Sequence, residues 1–475
     1  MDEITPKYSE WLTNFTFENC AVGRRAYGEF LASYLVEEKD GFVLNLNGKW
    51  GTGKTEFLKR MYSHFHTQTH PVIYIDAWES DFTENPLLVV ASELLAQLKA
   101  LLPLHGNDLD KLSLYLGRLV KGTAIVAGSL IGDKLIQDAA AGREFVKSFM
   151  ESSPKDLLDT MRKGYSEQVE AVKDVRTQLE HLALALKELH KRELPVMVLV
   201  DELDRCRPSY AIEMLEVIKH FFNTKNFVFV VATDTQQLEN SIKAVYGEKF
   251  DSSVYLRRFF DRKAELSEPD IAYYLEKHDF TIASNIVLYP DKPAGITAST
   301  VAYYLAALLK AYNLGLRTVD QVIAKMKACL RTIARDKDNH HAVNIFALLT
   351  AIIEFDEQPE VFKGRADDNA LSDWEADDFP MTDLDANIET RFSDYYSLNM
   401  NATVLHTSTQ MDQTGDTISP LVYSVNSSEY RVGNEASLML RQMQTSISNK
   451  MDSRQYTVWM WSDFKELVKL SKSFE

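Results

Sequence analysis

Residues Phe42 to Thr55 read F-V-L-N-L-N-G-K-W-G-T-G-K-T. The run Phe42 to Leu46 is short and mostly apolar, which predicts a buried strand. Beyond it Phe57, Leu58, Met61 and Phe65 repeat at helical spacing. Between strand and helix lie Gly48, Lys49, Trp50, Gly51, Thr52, Gly53, Lys54 and Thr55, the spacing of a phosphate-binding loop. Glycines let successive backbone N–H groups close around phosphate oxygens. The helix that follows presents unpaired N–H groups and the positive end of its dipole. Lys54 is placed to neutralise the β- and γ-phosphates of ATP, and the Thr55 hydroxyl to ligate Mg²⁺. A glycine-rich turn without chemistry is the competing reading, and a second half-site downstream decides against it.

That half-site is V-M-V-L-V, Val196 to Val200, running into D-E-L-D-R-C-R-P, Asp201 to Pro208. An acid directly after a buried strand is where a magnesium-orienting carboxylate is needed. Asp201 is expected to hold the metal, directly or through water, and Glu202 to orient or deprotonate the attacking water. Asp204, Arg205 and Arg207 crowd the same edge. Two more strands are expected, at Val72 to Ile75 and at Phe227 to Asp234. Trp78, just past the first of these, is expected in the core. In open parallel sheets ligands bind at the C-terminal strand ends. Thr233 or Asp234 is therefore placed to sense a γ-phosphate or position water, with a helix cap at Asp234 as the alternative. Arg257 and Arg258, beside Phe259 and Phe260, offer a guanidinium to developing phosphate charge in the same or a neighbouring copy. A surface salt bridge is the alternative for each. Arg317, at a helix start, is a further phosphate-sensing candidate against a plain helix-end residue.

Around these motifs the chain of 475 residues divides into an α/β P-loop NTPase core with a parallel sheet, a helical insert, a helical lid and a C-terminal accessory region. The expected boundaries are 1–104 and 195–264 for the two parts of the core, 105–194 for the insert and 265–357 for the lid. Residues 358–475 are read as an acidic linker and accessory region. Before the first strand, Arg24 to Val36 is expected to be a helix with Tyr27, Phe30, Leu31, Tyr34 and Leu35 on its apolar face. Its start, Ala21 to Tyr27, lies where a nucleotide base is contacted or where a helix simply packs. The insert has helical spacing at Leu112 to Val120, a small-residue run from Thr123 to Gly132, and a long amphipathic pattern from Tyr165 to Leu189. It either packs internally or meets a partner or membrane surface.

The net charge of −17 disfavours tight, non-specific binding to free nucleic acid. Three scattered cysteines provide no disulfide framework or zinc cluster. The Thr123–Gly132 run is well short of the ~20 apolar residues of a membrane-spanning helix. The opening M-D-E-I-T-P-K-Y lacks a secretory signal pattern. The expected setting is cytoplasmic, with peripheral contact at the inner membrane left open. The expected partner is another protein or further copies of the same chain.

Together, G-K-W-G-T-G-K-T, I-D-A-W, V-D-E-L-D-R-C-R-P and F-V-F-V-V-A-T-D resemble the KAP family of P-loop NTPases, over roughly residues 15–340. Trp50 within the loop and the D-R-C run after the acids are the more specific signals. The resemblance implies an additional-strand α/β ATPase core, a helical lid, and ATP with Mg²⁺ as ligands. The family commonly shows two aspartates where this chain has Asp201-Glu202, and glutamate keeps the carboxylate needed to position water. Family inserts often span membranes; this one lacks the apolar length. Bacterial relatives are associated with phage exclusion and defence, animal relatives with membrane-linked signalling scaffolds. The expected activity is ATP hydrolysis driving a conformational or assembly switch. A nucleotide-gated binding module or scaffold with little turnover is the alternative.

Overall fold

The computed structural model describes residues 7–39, 41–82, 86–101, 172–188, 190–221, 224–293, 296–365, 378–381, 390–407, 410–411, 417–418, 421–423, 438–451 and 455–470. The chain divides into two compact units, Met1–Pro269 and Asp270–Glu475.

The first unit is built on five strands: β1 (Phe42–Asn47), β2 (Val72–Asp76), β3 (Val196–Asp201), β4 (Phe227–Thr233) and β5 (Arg262–Glu265), in the order β2-β3-β4-β1-β5. Every pairing in this sheet is parallel. β3 and β4 are buried along their whole length, as continuous apolar runs require of strands covered on both faces. Alternate residues feed two cores. Val196, Val198, Val200, Phe227, Phe229 and Val231 face one, while Met197, Leu199, Val228 and Val230 face the other. β5, R-K-A-E, is a mostly exposed strand and carries no apolar run that would announce it.

β4 lies between β1 and β3. With about 4.8 Å between neighbouring strands, the strand entering the glycine-rich loop and the strand ending in acids are about 10 Å apart. This is the additional-strand core that the resemblance implies.

The first core also takes in Val175, Leu179, Leu182, Ala183 and Leu186 from the helical residues 172–188. This end of the insert packs internally. The patterns at Leu112 to Val120, Thr123 to Gly132 and Tyr165 to Val169 lie outside the described residues. Among the described residues no helix is long and apolar enough to cross a membrane.

The helix Arg25–Val36 forms as expected, but its buried stripe is Gly28, Leu31, Ala32 and Leu35. Phe30 is 68% exposed and Tyr34 38%. Five large residues made too wide a face. The stripe that reaches the core is centred on the small residues because the Phe17 ring comes in against Gly28. A Cβ at Gly28 would sit 2.1 Å from Phe17 Cε1.

In the second unit the helix Ile345–Glu357 is buried from Ile345 through Glu354 and lies at the centre of one core. Residues of helices Thr300–Ala311, Leu316–Ile333, Phe392–Asn401 and Trp461–Leu470 join it there. The regions expected as separate, 265–357 and 358–475, thus share one core. Short strands Ile286–Tyr289, His341–Asn344 and Thr457–Val458 pair in parallel within it. They are too short for a period-two pattern to register. Near the end of the region expected as the lid, one acid lies in the interior. Glu354 is fully buried, meets Arg365 through Nε at 2.6 Å and Nη2 at 2.5 Å, and accepts from the Tyr312 hydroxyl at 2.5 Å. A buried charge is tolerated when paired and hydrogen-bonded in this way. Residues 359–364 continue as a helix, and 366–377 lie outside the described residues.

Gly28 supplies a test of this packing. In an open helix Gly→Ala gains about 1 kcal/mol, but overpacking a tight core costs about 1–3 kcal/mol. Gly28→Ala should therefore lower stability in urea unfolding of the full chain. A stabilised variant would contradict the Phe17 contact.

Candidate functional site

The parallel sheet brings three strand ends to one edge. Asn47 pairs with Thr233, Asp76 with Asp201, and Val200 with Val231. The glycine-rich loop leaves β1 there, the acid-bearing turn leaves β3, and Asp234 follows β4.

The loop is anchored by the end of β4. The Gly48 N–H donates to Thr233 O at 3.0 Å, and the Trp50 N–H donates to Asp234 Oδ2 at 3.1 Å. The other Asp234 oxygen accepts from Gln237 N and caps the helix Thr235–Tyr246. Asp234 thus serves as the cap and also holds the loop. The Thr233 hydroxyl, fully buried, donates to Asn45 Oδ1 at 3.0 Å, so its own tie to the loop runs through its carbonyl. Within the loop Thr52 Oγ1 donates back to Lys49 O at 2.8 Å. Gly51 and Gly53 have φ of +83° and +84°, a region that L side chains avoid. Gly53 leads directly into the helix Lys54–Thr67, whose first turn faces the loop. Trp50 stands out from the loop, 66% exposed.

Lys54 is 8% exposed, and its Nζ lies 2.8 Å from Gly48 O, 3.4 Å from Lys49 O and 3.4 Å from Asp204 Oδ2. The Thr55 hydroxyl donates to Glu202 Oε1 at 2.9 Å. Glu202 Oε2 pairs with Arg205 Nε. Asp201, with no exposed surface, accepts from the Tyr74 hydroxyl at 2.9 Å and from the Glu202 N–H at 2.9 Å. Burial pushes the Tyr74 phenol far up, which keeps it a donor to Asp201. The structure therefore gathers Lys54, Thr55, Asp201 and Glu202 across the end of β4, as the sequence predicts for two halves of one site.

Burial raises the Asp201 carboxyl above the ordinary range despite the donors around it. Burial, then the neighbouring Asp201 charge, raises Glu202. Glu202 also holds a left-handed backbone, φ +59°, that costs a non-glycine residue about 1–2 kcal/mol. Its carbonyl receives the Arg205 N–H, which fixes the turn. Cys206 beside it is buried, its thiol pushed up to about 12, and is chemically quiet.

Magnesium takes one or two protein oxygens and completes its octahedron from phosphate and water. The Thr55 hydroxyl and the Asp201 carboxylate are donors of that kind. Asp204 Oδ1 adds a buried oxygen that has no hydrogen-bond partner. Among the described residues no three His, Cys, Asp or Glu side chains form a cage of their own. The donor set fits a metal bound together with phosphate.

Arg257 and Arg258 follow the helix Ser252–Leu256, exposed, with no hydrogen bond to the loop among the described contacts. Arg317 is the second residue of the helix Leu316–Ile333 and belongs to the other unit. Trp78, expected in the core, is 53% exposed, with the Arg205 guanidinium 5.6 Å over its ring. The strand ends at Asp76, so the alternation that buries Tyr74 does not extend to it. Arg24 lies in the Ala21–Tyr27 stretch expected to contact a base or simply to pack, and its contacts give it a different part. Arg24 is 6% exposed, and its guanidinium donates to Thr52 O at 2.6 Å and to Ser267 O. It ties the loop backbone to the chain following β5. An arginine at a helix start carries no signal of this; only its position ahead of the first strand does.

The raised acids give a pH prediction. Proton uptake by Asp201 and Glu202 favours the fold below the ordinary carboxylate range, and that benefit is lost as pH rises through their elevated values. Asp201→Asn removes one buried charge but keeps an acceptor for only one of its two donors, the Tyr74 hydroxyl and the Glu202 N–H. The pH dependence rather than the absolute melting point is therefore the readout: as pH rises from the ordinary carboxylate range to 8, the melting point of Asp201→Asn should fall less than that of wild type, by about 2–4 °C. An equal fall in both proteins would contradict the assignment.

A family model described as the KAP family P-loop domain matches residues 24–268. The match opens at Arg24 and closes one residue short of the end of the first unit. A search of curated proteins finds no match to the chain.

Proposed function

We infer function from the premise that this chain belongs to the KAP family, whose nucleotide-binding P-loop domain it carries over residues 24–268. The first unit binds ATP with Mg²⁺ and hydrolyses it to drive a conformational or assembly switch. The observation that carries this reading is the meeting of Thr55 and Glu202 at 2.9 Å across the end of an intervening strand. A turn without chemistry has no reason to bring these residue types together.

Each residue has a part. The loop N–H groups and the start of the helix Lys54–Thr67 bind the phosphates. Lys54 neutralises the β- and γ-phosphates. Thr55 and Asp201 hold the magnesium ion, which when bound supplies charge neutralisation and orientation of the phosphate oxygens. Glu202 accepts a proton from, or orients, the attacking water. Arg257 or Arg258, both exposed, are offered to the nucleotide of a neighbouring copy. The cellular role is bacterial anti-phage defence, a reading that rests on the family resemblance alone.

One observation favours a second reading, a nucleotide-gated binding module with little turnover. Both Glu202 oxygens are engaged, by Thr55 and by Arg205.

Phosphate release separates the two. Lys54→Ala should lose nucleotide binding and turnover. Glu202→Gln should retain binding and lose turnover by about 10²-fold or more. Wild-type turnover in both variants would sink the ATPase reading, while binding without turnover in the wild type would favour the module. Particle size with and without AMP-PNP, a non-hydrolysable ATP analogue, reports assembly in the same samples. Phage plaque counts with wild type and Lys54→Ala report the defence role.

A further inference from the structure

Asp204 is a buried acid at this edge to which the proposed mechanism assigns no part. It sits in the short turn Leu203–Arg205, between a fully buried Leu203 and an Arg205 already committed to Glu202. The turn is closed by Arg205 N donating to Glu202 O at 3.1 Å and Cys206 N donating to Leu203 O at 3.3 Å. The carboxylate is therefore held in place. Its side chain is 6% exposed, one oxygen faces Lys54, and the other is buried without a partner.

An ammonium has three donors. Those of Lys54 face Gly48 O, Lys49 O and Asp204 Oδ2. A phosphate oxygen that gains Lys54 must displace one of them, and Asp204 is the acceptor of like charge to the phosphate. Once displaced, Asp204 is a buried carboxylate without its cation, beside Asp201 and Glu202. An unpaired buried charge is strongly unfavourable, and a divalent cation at this edge relieves it.

We propose that Asp204 couples nucleotide binding to the divalent cation, by competing with phosphate for Lys54 and then presenting a buried carboxylate that the cation compensates. The proposal rests on the nucleotide-binding reading above. Coupling of this kind is reciprocal: the factor by which the metal tightens nucleotide equals the factor by which nucleotide tightens the metal.

Calorimetric titration of the full chain with AMP-PNP, in EDTA and in Mg²⁺, tests it. In the wild type Mg²⁺ should tighten binding by about 100-fold. Asp204→Asn should bind AMP-PNP about 10-fold tighter in EDTA and show a correspondingly smaller Mg²⁺ factor. Asp204→Glu, which restores the charge, should recover the wild-type dependence. Thermal melts check that each variant folds, and Asp204→Ser gives the same two readings if the amide disturbs the turn. Wild-type affinity in EDTA together with a wild-type Mg²⁺ factor in a folded Asp204→Asn overturns the coupling and leaves nucleotide binding intact. Absence of AMP-PNP binding to the wild type in both buffers overturns both.

Discussion

The strand β4 holds the glycine-rich loop and the acid-bearing turn two strand spacings apart, and the site depends on how that gap is crossed. Lys54 reaches Asp204, and Thr55 reaches Glu202. β4 also fixes the near side of the gap, because its last carbonyl and the following Asp234 hold Gly48 and Trp50 by their N–H groups. A shift of β4 would therefore move the loop and its distance from the acids together. The same constraint explains why the inserted chain between β2 and β3 is tolerated: the strands on either side remain in register, from Val72 opposite Met197 to Asp76 opposite Asp201.

Holding the site in this form is unfavourable in itself. Asp201 and Glu202 are buried acids with raised pKa values, and Glu202 adopts a strained backbone. Such features persist only where surrounding structure over-determines them. Here the support comes from Tyr74 on Asp201, from the hydrophobic seat of Leu203, and from Arg24 bracing the loop against the chain beyond β5. The stable part of the fold, the two cores on either side of the sheet, supplies the rigidity that the charged edge lacks.

Much of this was legible in the residues. Val196 to Val200 and Phe227 to Val231 announce buried strands because every position is apolar, and the glycine spacing before Lys54 announces the loop. Strand order was not legible locally, since nothing in β4 states that it lies between β1 and β3; that came from family resemblance. β5 was missed because an exposed strand carries no apolar period. Phe30 and Tyr34 were misassigned because a helix face read from large residues ignores the small ones, Gly28 and Ala32, that permit close approach. Arg24 and Asp204 escaped a defined role for a different reason: their contacts join residues far apart in the chain, at Ser267 and Lys54. The burial of Glu354 was hidden because its partner, Arg365, has no periodic relation to it.

The central claim is that loop and acids converge on one metal-bound triphosphate. Electron–nuclear double resonance on the full chain with Mn²⁺ in place of Mg²⁺ and AMP-PNP tests it most directly. The account predicts phosphorus coupling to the manganese in the wild type, diminished or lost in Thr55→Val and in Asp201→Ala. Manganese bound without phosphorus coupling, or a coupling indifferent to both substitutions, would contradict it.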